Sequence, residues 1–195
     1  RTEAARVLSR LPSRAFTPEE KKQFDIAFRE LKARFLSNLD RPEANLSLGN
    51  LAENQGNPRE AERYYKAAIE REETFVPARM NLATLLNRRG RNRDAEKLLR
   101  QVVRLEPEWG QGHYSLGLLL AEDRSRLDEA AQRLSRAASI MPENPRIHFN
   151  LGVAYWQLEQ RDKAASSIKT AYALQPENPE FPQTLAQLYA QSEQW

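Results

Sequence analysis

The stretch HFNLGVAYWQLEQRDKAASSIKTAYA, residues 148–173, contains the pattern that decides the fold. Its first half has apolar residues at i, i+3, i+4 and i+7, which predicts a helix with one buried stripe: Leu151, Ala154, Tyr155 and Leu158. A second apolar stripe lies about 100° further round the same helix: Phe149, Val153 and Trp156. A helix with two apolar faces needs a neighbour on each of them.

The same pattern recurs along the chain at an almost constant spacing. Small residues in the first helix of each unit are 34, 34, 35 and 34 positions apart: Gly49, Ala83, Gly117, Gly152 and Ala186. Alanines in the second helix are 34, 35 and 34 apart: Ala61, Ala95, Ala130 and Ala164. Both series place the one extra residue in the turn AEDRSRLDE, 121–129, so the sequence predicts repeated helix pairs.

Local signals delimit these helices. Small residues at a helix crossing allow the two axes to approach closely. Prolines stop three of the second helices, at Pro107, Pro142 and Pro176, whereas the first repeat has Glu73 there and should stop more loosely. We expect Asn144 and Asn178 to cap the helices that follow them.

Two further helices are predicted before the repeats. Residues 17–39 begin with a capping Thr17 and carry an apolar stripe, which indicates a helix that packs as a cap on the first repeat. Residues 2–12 form another amphipathic helix, and PSRAF at 12–16 is the expected junction. The first 16 residues look like the remnant of a HEAT-like repeat cut from a longer parent.

The helix–turn–helix unit, with LG or LA, then Ala and a closing Pro, resembles the tetratricopeptide repeat. The resemblance implies an all-α, right-handed α-α superhelix (TPR solenoid). Its four repeats are 42–75, 76–109, 110–144 and 145–178, preceded by the capping helix 17–41 and followed by a partial fifth repeat, 179–195.

In tetratricopeptide proteins the first helices line a concave groove that binds partners. The resemblance therefore implies a non-catalytic protein–protein interaction module for a peptide or helix. Its expected contacts are main-chain contacts from two asparagines and apolar contacts from six residues: Asn50 and Asn81; Met80, Tyr114, Leu118, Phe149, Val153 and Trp156. The alternative for the second stripe is coverage by the chain itself, including Trp195. A chaperone-tail clamp is disfavoured, because its lysine and arginine positions hold Leu46, Gln111 and Ser115.

A second resemblance concerns the parent protein. DRPEANLSLGNLAENQGN (40–57) and FVPARMNLATLL (75–86) resemble the C-terminal part of certain bacterial multihaem c-type cytochromes. This resemblance implies a structural domain that docks onto upstream domains of the same chain. It also implies the bacterial periplasm, with the cytoplasm as the alternative. The sequence has no CxxCH, so a haem role would belong to other residues and no cofactor is expected here.

The composition argues against other kinds of chemistry. The chain has no cysteine and two histidines, and it lacks the common nucleophile, metalloprotease and nucleotide motifs, so no enzyme is expected. We interpret His113 and His148, which occupy equivalent places, as packing residues rather than a metal pair. No apolar run approaches the ~20 residues of a membrane span.

Nucleic-acid binding through a basic turn is the weaker alternative to a protein partner. A net charge of +3 does not demand an anionic partner. The run RRGRNR, residues 88–93, could continue along Lys97, Arg100 and Arg104, but no aromatic residues for base stacking are interleaved there. A solvated turn is the favoured interpretation.

Overall fold

The computed structural model describes residues 17–192, which contain ten α-helices, one short 3-10 helix and no strand. The helices are α1 Pro18–Leu36, α2 Pro42–Asn54, α3 Pro58–Arg71, α4 Val76–Arg88, α5 Asn92–Leu105, α6 Gly110–Ala121, α7 Leu127–Ile140, α8 Pro145–Gln157, α9 Arg161–Leu174 and α10 Glu180–Ser192. The predicted all-α class is confirmed. The predictions for residues 1–16 and for Trp195 lie outside the described residues.

The chain divides into two compact units, 1–90 and 91–195. The described part of the first unit contains α1 to α4, and that of the second contains α5 to α10. The division falls inside the predicted second repeat, between its two helices. The domain boundaries predicted from the sequence stay a prediction.

In the first unit, α1 caps the helix pair formed by α2 and α3. Thr17 begins α1 with a capping box, in which its backbone N–H donates to Glu20 Oε2 at 2.8 Å. Phe28 and Leu31 of α1 form a buried cluster with Leu51 of α2. This cluster is the apolar contact that joins α1 to α2.

The α2–α3 pair crosses at a glycine. A Cβ placed on Gly49 would clash with the ring of Tyr65. Tyr65 is fully buried, so its ring has no free space to move into. α3 ends at Arg71, the position equivalent to Leu105, Ile140 and Leu174 at the ends of the other second helices. The looser stop expected from Glu73 is therefore not visible in the helix length. The Glu72 N–H donates to the Ala68 carbonyl, as the equivalent N–H groups do at the ends of the other second helices.

In the second unit, α6–α7 and α8–α9 repeat this crossing. A Cβ on Gly117 would lie 2.8 Å from Leu134 Cγ, and a Cβ on Gly152 would lie 2.6 Å from Ile168 Cγ1. Asn144 and Asn178 cap the following helices through their side-chain oxygens, at 3.1 Å and 3.0 Å from backbone N–H groups. The close crossings and both caps agree with the sequence predictions.

The turns of three of the described helix pairs, α2–α3, α4–α5 and α8–α9, contain a left-handed residue. Gly56 and Gly90 have φ of 74° and 73°, and the equivalent residue in the fourth repeat is Glu159, with φ of 60°. An L-residue with a side chain is strained in this conformation, whereas glycine is not.

Replacing Glu159 with glycine is therefore expected to stabilise the second unit by about 1 kcal/mol. Urea unfolding of the purified chain measures this change. The matched control is Gly90→Ala, where a Cβ has open space and only backbone strain acts, so it should destabilise. Equal stability of Glu159→Gly and the parent chain would contradict the account of the turn.

Candidate functional site

In the first unit, the two predicted asparagines belong to one hydrogen-bonded group. Asn81 Nδ2 of α4 donates to Asn50 Oδ1 of α2 at 2.7 Å. Oη of Tyr65 lies 2.8 Å from the same oxygen and 2.6 Å from Glu53 Oε2. Burial raises the pKa of the Tyr65 phenol to about 12, so the hydroxyl keeps its proton at neutral pH. The structure brings Asn50 and Asn81 together and fixes both to the scaffold.

Met80, the third predicted contact of this unit, is different. Its side chain is 8% exposed and belongs to the core. It therefore does not supply the exposed apolar contact that the sequence predicts. The first-helix surface of this unit is mainly polar, with Asn50 exposed and Glu53 paired to Arg88.

In the second unit, Tyr114 and Leu118 of α6 reach the surface. Leu118 is 38% exposed, which is high for a large apolar side chain. Tyr114 is half-buried, and its hydroxyl accepts a hydrogen bond from Asn150 Nδ2 of α8 at 2.8 Å. This bond places α6 and α8 side by side, so their exposed positions share one surface.

Phe149 is a correction to the predicted site. Its ring is 7% exposed and packs against Phe181 of α10, with ring centroids 5.0 Å apart. The Arg146 guanidinium lies 5.8 Å and 5.9 Å from the two ring centroids, and it pairs with Glu180 at 2.6 Å. α10 covers this part of the second stripe, so Phe149 holds helices together instead of facing a partner.

Val153 and Trp156 occupy an intermediate position. Both are partly buried and pack against the cluster that joins α8, α9 and α10, which includes Phe149, Ile168 and Phe181. Part of each side chain remains accessible. The second stripe is thus covered at Phe149, half-covered at Val153 and Trp156, and open at Leu118.

The polar residues that begin the first helices share one structural role. His113 Nε2 lies 2.9 Å from the carbonyl oxygen of Pro107, and His148 Nε2 lies 2.8 Å from that of Pro142. Asn45 Nδ2 donates in the same way to the carbonyl of Leu39 at 2.8 Å. Each bond ties a first helix to the chain six residues earlier, which supports the interpretation of the histidines as packing residues.

The basic turn is largely neutralised within each unit. Arg88 and Arg89 pair with Glu53 and Glu62 in the first unit. Arg91 pairs with Asp94 at 2.7 Å in the second unit. Ion pairing of these three arginines favours the interpretation as a solvated turn and disfavours a nucleic-acid-binding surface.

An ion-pair cluster near the inserted residue was not found by sequence reasoning. Arg126, in the 3-10 helix Arg124–Arg126, contacts Glu96 at 2.7 Å and Glu129 at 2.9 Å. Arg100 also contacts both carboxylates, at 2.9 Å and 2.7 Å. Hydrogen bonds from Arg126 hold the pKa of Glu96 at about 2. The cluster links α5 to α7 and is structural.

The described residues contain neither a metal-binding cluster nor a membrane-spanning helix. In the described part of the chain, no His, Cys, Asp and Glu side chains form a group of three that could hold a metal ion. None of the helices between residues 17 and 192 is both long and apolar enough to cross a bilayer.

Three family models match the chain. A model described as tetratricopeptide repeat matches residues 52–119, and a second with the same description matches 145–178, the bounds predicted for the fourth repeat. A model described as TPR repeat matches residues 123–159. These matches give no support to the resemblance to multihaem cytochromes. No curated protein matches the chain.

Solved structures with low sequence identity share the fold. MamA from Desulfovibrio magneticus RS-1 is 22% identical, with a TM-score of 0.72 over 78% of this chain and 85% of that one. A thermophilic TPR protein of Thermus thermophilus is 19% identical, with a TM-score of 0.64 over 97% and 100%. YrrB, described as a TPR protein with an unusual peptide-binding site, is 21% identical, with a TM-score of 0.63 over 100% and 90%. These similarities confirm the predicted α-α solenoid class.

Proposed function

This chain is a tetratricopeptide-repeat protein, and on that premise we propose that it binds a segment of another protein on the first helices of its second unit. Tetratricopeptide repeats are protein–protein interaction modules and are typically non-catalytic. The proposed surface, called here the first-helix face, is formed by α6, α8 and α10 around Leu118, Val153 and Trp156. YrrB, whose description includes a peptide-binding site, supports a ligand of this kind.

The exposure of Leu118 is the observation that carries the proposal. The equivalent residue of α8 is Val153, and that of α2 is the polar Asn50. We infer that exposed Leu118 and half-buried Tyr114, Val153 and Trp156 form one apolar surface, which on soluble proteins often marks a binding site. Aromatic side chains of this type supply much of the affinity at interfaces.

Within the first unit, taken by itself, Asn50 is the group that we propose for hydrogen bonding to a protein chain. Asn50 Oδ1 already accepts a hydrogen bond from Asn81 Nδ2 at 2.7 Å. The group of Asn50 that a partner's main chain would meet is therefore Nδ2, a donor to a carbonyl oxygen. We infer that Asn81 positions this amide from α4 and makes no contact of its own.

The experiment compares two leucines of nearly equal exposure in the second unit. Leu118 is 38% exposed on a first helix, and Leu174 is 40% exposed at the end of a second helix. Leu118→Gln should weaken binding of peptides selected from a random display library by about tenfold, which is about 1.4 kcal/mol. Leu174→Gln, the matched control, should bind as the parent chain does.

Each result decides the proposal. Equal binding by the parent chain and Leu118→Gln would contradict it, and so would a loss confined to Leu174→Gln. Trp156→Ala is a poorer probe, because Trp156 also packs against the α8–α10 cluster and its loss would destabilise the fold. Circular dichroism of both leucine variants checks that each keeps its helices.

A partner within the same parent chain would use the same face. Docking onto an upstream domain of the same chain therefore differs from binding another protein only in the origin of the bound segment. The comparison of Leu118→Gln with the parent chain tests both.

A further inference from the structure

The charged residues of the second unit are segregated between its two sets of helices. Of the 38 residues in the first helices α6, α8 and α10, two are Asp, Glu, Lys or Arg: Arg146 and Glu180. Of the 42 residues in the second helices α5, α7 and α9, fourteen are charged. The whole chain is 29% charged, so the first helices stand apart.

The two charged residues of the first helices form an ion pair with each other. Arg146 Nη1 lies 2.6 Å from Glu180 Oε2. The same guanidinium also lies within 6 Å of the Phe149 and Phe181 ring centroids, at 5.8 Å and 5.9 Å. Both side chains are about half exposed, and their positions at the N-terminal ends of α8 and α10 put this ion pair at one end of the first helices.

The three first helices adjoin one another. The hydrogen bond from Asn150 to the Tyr114 hydroxyl joins α8 to α6. The Phe149–Phe181 ring contact joins α8 to α10. Apart from the exposed Arg146–Glu180 pair, exposed positions of these helices that carry no charge include Gln111, Leu118, Gln183, Gln187 and Ala190. Away from this pair, the first-helix face is an uncharged surface that changes from apolar on α6 to amide-bearing on α10.

We propose that the first-helix face selects an uncharged segment of protein chain and excludes segments charged with either sign. A charge buried on binding needs an opposite charge or several hydrogen bonds, and beyond the Arg146–Glu180 pair at one end the first helices carry no charged residue. Leu118 and Trp156 meet apolar side chains, while Gln183 and Gln187 meet polar, uncharged ones. The face then binds the correct partner more tightly than a charged competitor for two reasons: it contacts the partner's uncharged side chains, and burying a competitor's charge costs free energy. This inference rests on the proposed function, since it names the chemistry of the partner.

The test introduces a charge of each sign on the face. Gln187 is exposed and equivalent in position to Leu118 and Val153. The probes are peptides selected by the parent chain from a random library of 12-residue peptides. Gln187→Lys and Gln187→Glu should both weaken binding, by about threefold or more, because each charge loses solvation against an uncharged partner. The matched controls are Gln132→Lys and Gln132→Glu on the exposed surface of α7, which should bind as the parent chain does.

The composition of the selected peptides and the effect of salt give independent readouts. Selected peptides should contain about half as many charged residues as the unselected library or fewer. Their affinity should change by less than about twofold between 0.1 and 1 M NaCl, since screening acts on charges.

The outcomes separate the two proposals. Opposite shifts for Gln187→Lys and Gln187→Glu, or enrichment of one sign of charge in peptides that depend on Leu118, would overturn the uncharged partner and leave the binding face standing. Failure to select any peptide that depends on Leu118 would overturn both.

Discussion

Replacing Phe181 with alanine is expected to lower the free energy of unfolding of the second unit by about 3 kcal/mol. Phe181 is fully buried, and its ring packs 5.0 Å from that of Phe149. The substitution leaves a cavity between α8 and α10 and weakens the docking of α10. Urea unfolding measures the loss, and hydrogen exchange of α10 shows whether that helix opens first.

Tyr189→Ala provides the matched control on the same helix. Tyr189 is 39% exposed, so its truncation should cost less than about 1 kcal/mol. If Phe181→Ala and Tyr189→Ala lower the free energy of unfolding equally, α10 does not cover Phe149 through the Phe181 ring.

The substitution Gly117→Leu should destabilise the second unit by about 1–3 kcal/mol through overpacking. Even a Cβ at this position would lie 2.8 Å from Leu134 Cγ and 3.2 Å from the Leu134 backbone nitrogen. Since backbone cannot move aside cheaply, α6 and α7 must separate to accept a side chain. Thermal and urea unfolding both report the effect.

A graded series tests the mechanism. Gly117→Ala should cost less than Gly117→Leu, because the second repeat carries Ala83 at this position. Combining Gly117→Ala with Leu134→Ala should cost less than the sum of the two single changes, since the smaller residue makes room. Strict additivity would show that the glycine is not in contact with Leu134.

The helix pairs were predictable from the sequence because the same pattern of small and apolar residues recurs in each repeat. Small residues at a 34- or 35-residue spacing fix where each pair crosses, and Gly117 and Gly152 lie against Leu134 and Ile168 as that spacing requires. Capping at Thr17, Asn144 and Asn178 is local chemistry and was equally predictable.

The burial of Phe149 was missed because it depends on one non-repeating residue. Phe181 lies five residues before Ala186, and the equivalent positions in the other repeats hold smaller residues: Ala44, Ala78, Gly112 and Ile147. Comparison of these equivalent positions would have shown that the partial fifth repeat has a larger side chain here, next to the fourth repeat. The apolar pattern of one helix does not show which side chain of the neighbouring helix covers it.

The roles of Asn50 and Arg126 also depend on long-range contacts. Asn50 meets Tyr65 and Asn81, which are 15 and 31 residues away, and Arg126 meets Glu96 across 30 residues. Side-chain hydrogen bonds of this range follow no sequence period. Residue type alone therefore indicated the right helix face for Asn50 but not its partners.

The most direct test of the central claim is a methyl NMR titration with one selected peptide. The parent chain, labelled at Leu and Val methyl groups, is titrated, and the shifts of Leu118 and Val153 are compared with those of Leu105 and Leu174. Leu105 and Leu174 are each 40% exposed on second helices, so they report binding elsewhere. Shifts confined to Leu118, Val153 and their neighbours on α6, α8 and α10 are the predicted result. Shifts centred on Leu105 or Leu174, with Leu118 unchanged, would contradict the assignment of the first-helix face.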